Sequence, residues 1–135
     1  MNKPIAALLL STVFLTACDT VKAPPAGRTD TIEQKQYPQI TVQDGLQPWI
    51  GINTPVVDRS GDVMKVNVPI RLLSDAGQYS HVQYRFIFLD KSGVPLRTQT
   101  DWRYTTLEPR IQQIVSANAL DTTAADWRME IRPAR

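Results

Sequence analysis

The sequence predicts an all-β fold, an antiparallel sandwich of roughly six to seven short strands, and three observations carry that expectation. Apolar residues recur at every second position in two long segments, Val63 to Leu73 and Val82 to Leu89, the period of a strand with one buried face. Turn-forming clusters, Asp58-Arg59-Ser60-Gly61-Asp62 and Asp90-Lys91-Ser92-Gly93, stand at hairpin spacing around them. The only cysteine is Cys18, so no disulfide forms within the chain and the fold rests on its core alone.

Taken from the start, residues 1–17 read as a leader to be removed rather than as part of the fold. A charged beginning (Met1 to Lys3), an apolar run (Ile5 to Leu15) and small residues before a cleavage point make a secretory signal peptide. Pro4 to Ala17 falls short of the roughly 20 apolar residues that cross a bilayer. Leu15-Thr16-Ala17-Cys18 resembles a bacterial lipobox. That resemblance implies cleavage before Cys18, a diacylglyceryl group on its thiol and acylation of its new amino group. Two or three acyl chains hold a protein at a membrane almost permanently, which makes Cys18 an anchor and not a nucleophile.

Residues 18–36 then read as a lipidated, flexible tether. Asp19 to Gln36 has no aromatic residue, carries Pro24-Pro25 and Gly27, and lacks a sustained apolar period. Such a segment reaches at most roughly 60 Å and averages about 23 Å when flexible. Asp19 resembles the acidic residue that keeps enterobacterial lipoproteins in the inner membrane. Other bacteria read neighbouring positions, so the choice between inner and outer membrane stays open.

The β-sandwich domain is expected over residues 37–135. Met64, Val66, Val68, Ile70 and Leu72 share one strand face, opposite Lys65, Asn67, Pro69 and Arg71. Pro69 has no N–H for a ladder, which suggests an edge or a bulge. Val82, Tyr84, Phe86 and Phe88 make a second buried face; Ile87 and Leu89 make both faces apolar, as in a central strand. Leu107 to Ala119 is ambiguous: Ile111, Ile114 and Val115 have helical spacing, whereas Ile111, Gln113 and Val115 allow a strand. Pro109 and the shortness of the run favour the strand. Ala119 to Asp126 has room for one helical turn. Trp127, Met129 and Ile131 alternate with Arg128, Glu130 and Arg132 in a last strand.

Val82-Gln83-Tyr84-Arg85-Phe86-Ile87-Phe88-Leu89-Asp90, followed by Ser92-Gly93, resembles the central motif of the YcfL-like family of small envelope lipoproteins. Thr106-Leu107-Glu108-Pro109, Ser116-Ala117-Asn118 and the Arg128 to Arg132 strand extend the resemblance over roughly residues 46 to 132. It implies an immunoglobulin-like sandwich and no established biochemical activity. Some members are encoded beside a lipoprotein that activates a peptidoglycan synthase, which points toward cell-wall assembly.

Composition narrows the function classes. Beyond the leader, fourteen Lys and Arg face thirteen acidic residues, and the basic ones are scattered, so no nucleic-acid partner is expected. His81 is the only histidine, which leaves little material for His-based zinc sites or nucleophile dyads, and His81 itself reads as a surface residue at a strand start. No Gly-x-Ser-x-Gly, Ser-x-x-Lys or phosphate-cradling loop is present. The carboxylates left to form a pair are Asp58, Asp62, Asp90 and Asp101, three of them in turns where Asp bonds backbone. The expectation is a protein without catalytic residues, metal or cofactor.

Of the tryptophans, Trp127 belongs to the core pattern, while Trp102, Arg103 and Tyr104 form a stretch of two aromatics and flanking charges suited to a binding surface. Arg71, Arg85, Arg128 and Arg132 fall on strand faces opposite the core. The sequence therefore predicts a lipid-anchored, periplasm-facing, non-catalytic module that binds an envelope protein in cell-wall or envelope assembly. The alternative is a glycan- or peptidoglycan-binding module, or a carboxylate-dependent wall enzyme.

Overall fold

The computed structural model describes residues 35–74 and 78–134. The signal peptide, the lipobox with Cys18, Asp19 and the tether up to residue 34 lie outside the described residues. Among the described residues eight strands form two sheets: β1 (Ile40–Val42), β2 (Ile50–Ile52), β3 (Val56–Asp58), β4 (Lys65–Leu72), β5 (Ser80–Leu89), β6 (Arg103–Leu107), β7 (Gln113–Asn118) and β8 (Asp126–Pro133). Among the described residues the one helical element is a 3-10 turn, Gln47–Trp49. The expected all-β sandwich is the observed architecture.

The first sheet has the order β1-β8-β5-β6. Its centre, β5, is the strand with apolar residues on both faces near its end, as the sequence indicated. All its pairs are antiparallel except that of β1, which runs parallel to β8 with Thr41 opposite Glu130. In the second sheet β4 is central. β7 covers one edge of it, and β2 and β3 lie in series along the other, opposite Ile70 to Leu72 and Lys65 to Asn67 respectively. This broken edge strand and the three-residue β1 raise the number of strands to eight.

The break explains Pro69. It sits in a central strand, where a missing N–H is normally excluded. Its carbonyl accepts from Asn53 N–H at 3.0 Å, and a strand residue sends its N and C=O to the same side. The N of Pro69 thus faces the gap between β2 and β3, so the ladder loses nothing.

Period two carries the rest. Val66, Val68, Ile70 and Leu72 from β4 meet Val82, Tyr84, Phe86 and Phe88 from β5 in one core. Trp127, Met129 and Ile131 close it from β8, and Val115 and Ala117 from β7. Phe86, 1% exposed, lies at the aromatic centre, with ring centroids 6.1 Å from Tyr84, 6.4 Å from Phe88 and 6.0 Å from Trp127. The ambiguous segment is strand β7, but its inward residues are Val115 and Ala117, while Ile111 and Ile114 are exposed. Ala119 to Asp126 forms a turn without a helix, in which Asp121 accepts from the N–H and hydroxyl of Thr123, both at 2.8 Å.

Both turn clusters behave as Asp-initiated turns. Asp58 accepts from Ser60 N–H at 2.8 Å and Ser60 Oγ at 2.6 Å. Asp90 accepts from the N–H groups of Ser92 (2.8 Å) and Val94 (3.0 Å), and Gly93 takes φ +77°, a conformation glycine adopts without steric cost. Beyond the turn, β6 has not yet begun, and side chains join the Leu96 N–H, which donates to Phe88 O at 2.9 Å, in satisfying the β5 edge. Gln99 Oε1 accepts from Phe88 N–H and Gln99 Nε2 donates to Phe88 O, each at 2.9 Å, while Thr100 Oγ1 donates to Phe86 O at 2.8 Å.

Candidate surface on the outer face of the first sheet

The same alternation that buries Val82 to Phe88 sends His81, Gln83, Arg85 and Ile87 outward. Register lines them up with their neighbours: His81 with Thr106, Gln83 with both Tyr104 and Arg132, Arg85 with Glu130, and Ile87 with Arg128. Cross-strand pairs of this kind are within contact distance on one face of a sheet. Trp102, immediately before β6, joins them. The guanidinium of Arg132 stands 3.8 Å from the centre of its indole, and that of Arg85 stands 4.7 Å away.

Each of these arginines is also held through its Nε. Arg85 Nε donates to Glu130 Oε2 at 2.7 Å, and Arg132 Nε donates to Gln83 Oε1 at 2.9 Å. A guanidinium stacked on an indole and tied at Nε keeps its planar fork in one orientation. Beside this cluster the rings of His81 and Tyr104 stack, centroids 5.7 Å apart and 23° from parallel, and His81 Nδ1 lies 3.0 Å from Thr106 Oγ1. Tyr104 is 58% exposed while Trp102 is half-buried.

Of the three residues singled out in the sequence, the fold brings two together and turns the third away. Arg103 pairs with Tyr84, whose side chain faces the core, so Arg103 leaves the sheet on the inner side of this edge strand. Its Nη1 donates to Ser116 O of β7 at 2.9 Å. Next to it Gln113 Nε2 donates to Thr106 O at 2.7 Å, and Thr105 Oγ1 donates to Gln113 Oε1 at 3.1 Å. Arg103 thus laces the two sheets together along their β6 and β7 edges. The sequence pattern turns Gln83, Glu130 and His81 outward without joining them to the binding surface, and their place beside Tyr104 and Arg132 follows from the register of β5 with β6 and β8.

Other candidates are accounted for by scaffold roles. Asp58 and Asp90 organise their turns, and Asp62 and Asp101 are exposed loop residues. The hydroxyl and N–H of Ser60 hold the Asp58 carboxyl below its ordinary value of 3.8, and Thr123 does the same for Asp121 through its N–H and hydroxyl. Among the described residues no three His, Cys, Asp or Glu side chains gather as a metal site would require. A shallow open depression at one end of the sandwich is lined by Arg59, Asp90, Lys91, Ser92 and residues 122–125. Its Arg59 Nη2 donates to Ala125 O at 2.6 Å and its Asp90 is occupied with backbone.

The family model described as "Protein of unknown function (DUF1425)" matches residues 38–133, the span of the whole sandwich. The chain belongs to the DUF1425 family. Membership in a family without assigned function agrees with the broader part of the resemblance read from the β5 motif. Two crystal structures resemble this DUF1425 domain. One is cj0090 of Campylobacter jejuni, 22% identical, with a TM-score of 0.61 over 71% of this chain and 98% of that one. The other is a DUF1425 family member from Shewanella sp. pv-4, 18% identical, with a TM-score of 0.57 over 64% of this chain and 79% of that one. At these identities the likeness is one of fold. No curated protein matches the chain.

Proposed function

We propose that this DUF1425 protein is a lipid-anchored, periplasm-facing, non-catalytic binding module that docks an envelope protein on the outer face of its first sheet. The observation that carries the docking face is the cluster at Trp102, where two arginines are fixed on one indole beside the exposed, His81-stacked Tyr104. Arginine and aromatic side chains with little remaining rotamer freedom are what interface hot spots are made of. The lipobox at Leu15 to Cys18 supports the anchor, and the YcfL-like motif supports a place in envelope or cell-wall assembly. Asp19 favours the inner membrane in an enterobacterial host. The glycan-binding alternative is weakened because Arg132 covers the indole that would stack on a sugar ring.

The test is photo-crosslinking in intact cells. A benzoyl-phenylalanine at Tyr104 is expected to trap one discrete protein partner, and the same group at the exposed Ile114 of the opposite sheet is expected to trap none. Trp102→Ala should lower the yield at Tyr104 while the thermal midpoint stays nearly unchanged. Equal yields from the two positions, or sedimentation of the protein with purified peptidoglycan in place of any crosslink, overturn the reading.

A further inference from the structure

We infer that the arginine pair on Trp102 is a carboxylate receptor, and that the partner segment docked there is an acidic peptide. The inference rests on the docking face proposed above and names the chemistry it recognises. Arg132 is the deciding residue. Its ring-facing side is taken by Trp102 and its Nε by the neutral amide of Gln83. Among the described residues no carboxylate lies within ion-pair distance of it. Its terminal Nη groups are therefore presented as a planar pair of donors on an immobile support, the geometry that matches a carboxylate bidentately.

Arg85 stands on the same indole, but Glu130 already answers its charge at 2.7 Å. The difference between the two is informative. At Arg85 the fold supplies the acid. At Arg132 it supplies a neutral amide, which orients the guanidinium and leaves its charge for another molecule. Arg128 lies on the same face of β8, four residues from Arg132 and opposite Ile87. Asp126 lies at the far end of that strand, about 20 Å from Arg132 at the usual strand rise. Tyr104, stacked on His81, adds exposed ring area next to the fork, which suits a peptide bearing apolar or aromatic side chains beside its acid.

A phosphate is the other anion that a guanidinium fork accepts, and a phospholipid surface would supply many. Recognition of anionic bilayers draws on clusters of roughly four to eight cations. This face carries Arg85, Arg128 and Arg132, one of them neutralised, so an individual carboxylate is the better match.

The experiment uses the full mature lipoprotein in neutral detergent micelles, labelled with 5-fluorotryptophan, the Trp102 resonance being assigned through Trp102→Phe. The probe is acetyl-(Glu-Tyr)3-amide, with acetyl-(Gln-Tyr)3-amide as control. The glutamate peptide is expected to shift the Trp102 signal saturably and to leave Trp49 and Trp127 unmoved, whereas the glutamine peptide should need at least tenfold more. Arg132→Lys keeps the charge but removes the fork, and should weaken the glutamate peptide at least tenfold. An equal response to the two peptides, no response at Trp102, or an equal response to inorganic phosphate or to micelles doped with phosphatidylglycerol overturns the carboxylate receptor. A crosslink at Tyr104 that persists at full yield in Arg132→Lys also overturns it and leaves the docking face standing. Loss of the crosslink in the unsubstituted protein removes the docking face itself.

Discussion

Phe86 shows how much of this domain depends on single side chains. Its ring touches three other aromatics across both central strands of the first sheet, and deleting a buried ring of this kind costs about 3–5 kcal/mol. Phe86→Ala is expected to unfold much of the population, because a domain of this size holds only about 5–15 kcal/mol in total. Gln83→Ala, on the outer face, loses one hydrogen bond to Arg132 and should cost about 0.5–1.5 kcal/mol. Urea midpoints separate the two; equal midpoints would contradict the assigned strand faces. Acid sensitivity is also a residue property here. Asp58 and Asp121 are hydrogen-bonded as carboxylates, first by the Ser60 hydroxyl and by the Thr123 N–H respectively, so their folded values lie below 3.8. A depressed carboxylate contributes stability that is fully present above the unfolded value and is lost as pH falls through the folded one. Thermal midpoints followed from about pH 5 to about pH 2 should therefore fall less for the double variant Asp58→Asn, Asp121→Asn than for the unsubstituted protein. Parallel curves would remove these turns from the acid response.

Among the elements, the β6 and β7 edges carry the least expected design. Gln113 and Arg103 use side chains to do what a strand backbone would do, joining edges that belong to different sheets. Gln113→Ala should cost about 1–2 kcal/mol by leaving the Thr106 carbonyl unanswered, and should speed hydrogen exchange of the β6 amides paired to β5. Arg103→Ala is expected to loosen the same edge and to leave crosslinking at Tyr104 intact; a lost crosslink would put Arg103 back among the docking residues. None of this was legible beforehand, because the residues lie on separate strands and only the spacing between sheets brings them together. The core was legible for the opposite reason. Val66 to Leu72 and Val82 to Phe88 repeat one geometric rule over several residues, and burial of one face satisfies it wherever the strand is placed. Alternation also contained the separation of Arg103 from Trp102 and Tyr104, but grouping the three by composition obscured it. Pro69 misled in a similar way: the rule about edges holds for the side its nitrogen faces, and that side was an edge only because β2 and β3 stop short of each other.

At the scale of the whole molecule, the strongest expectation concerns the segment preceding the sandwich. Cys18→Ser should abolish membrane attachment and let the uncut precursor accumulate, since the acyl chains on that sulfur supply the anchoring in this reading. A Cys18→Ser protein that still matured and resisted a salt and carbonate wash would end the lipoprotein reading. The sandwich is closed on one flank by Gln113 and on the other by Tyr37, whose hydroxyl donates to Thr54 Oγ1 at 3.2 Å. Tyr37 leads directly into β1, which lies parallel to β8 and is bonded to it at Gln39 O and Gln43 N. That placement gives the domain a mechanical character. A pull along the chain ahead of β1, resisted by whatever grips the outer face of the first sheet, drags β1 lengthwise past β8. The bonds between them then bear the load together in shear and do not open one at a time like a zipper. The first strand to feel tension is thus seated against the strand that carries Arg128 and Arg132, and force travels between chain and docking face without crossing the core.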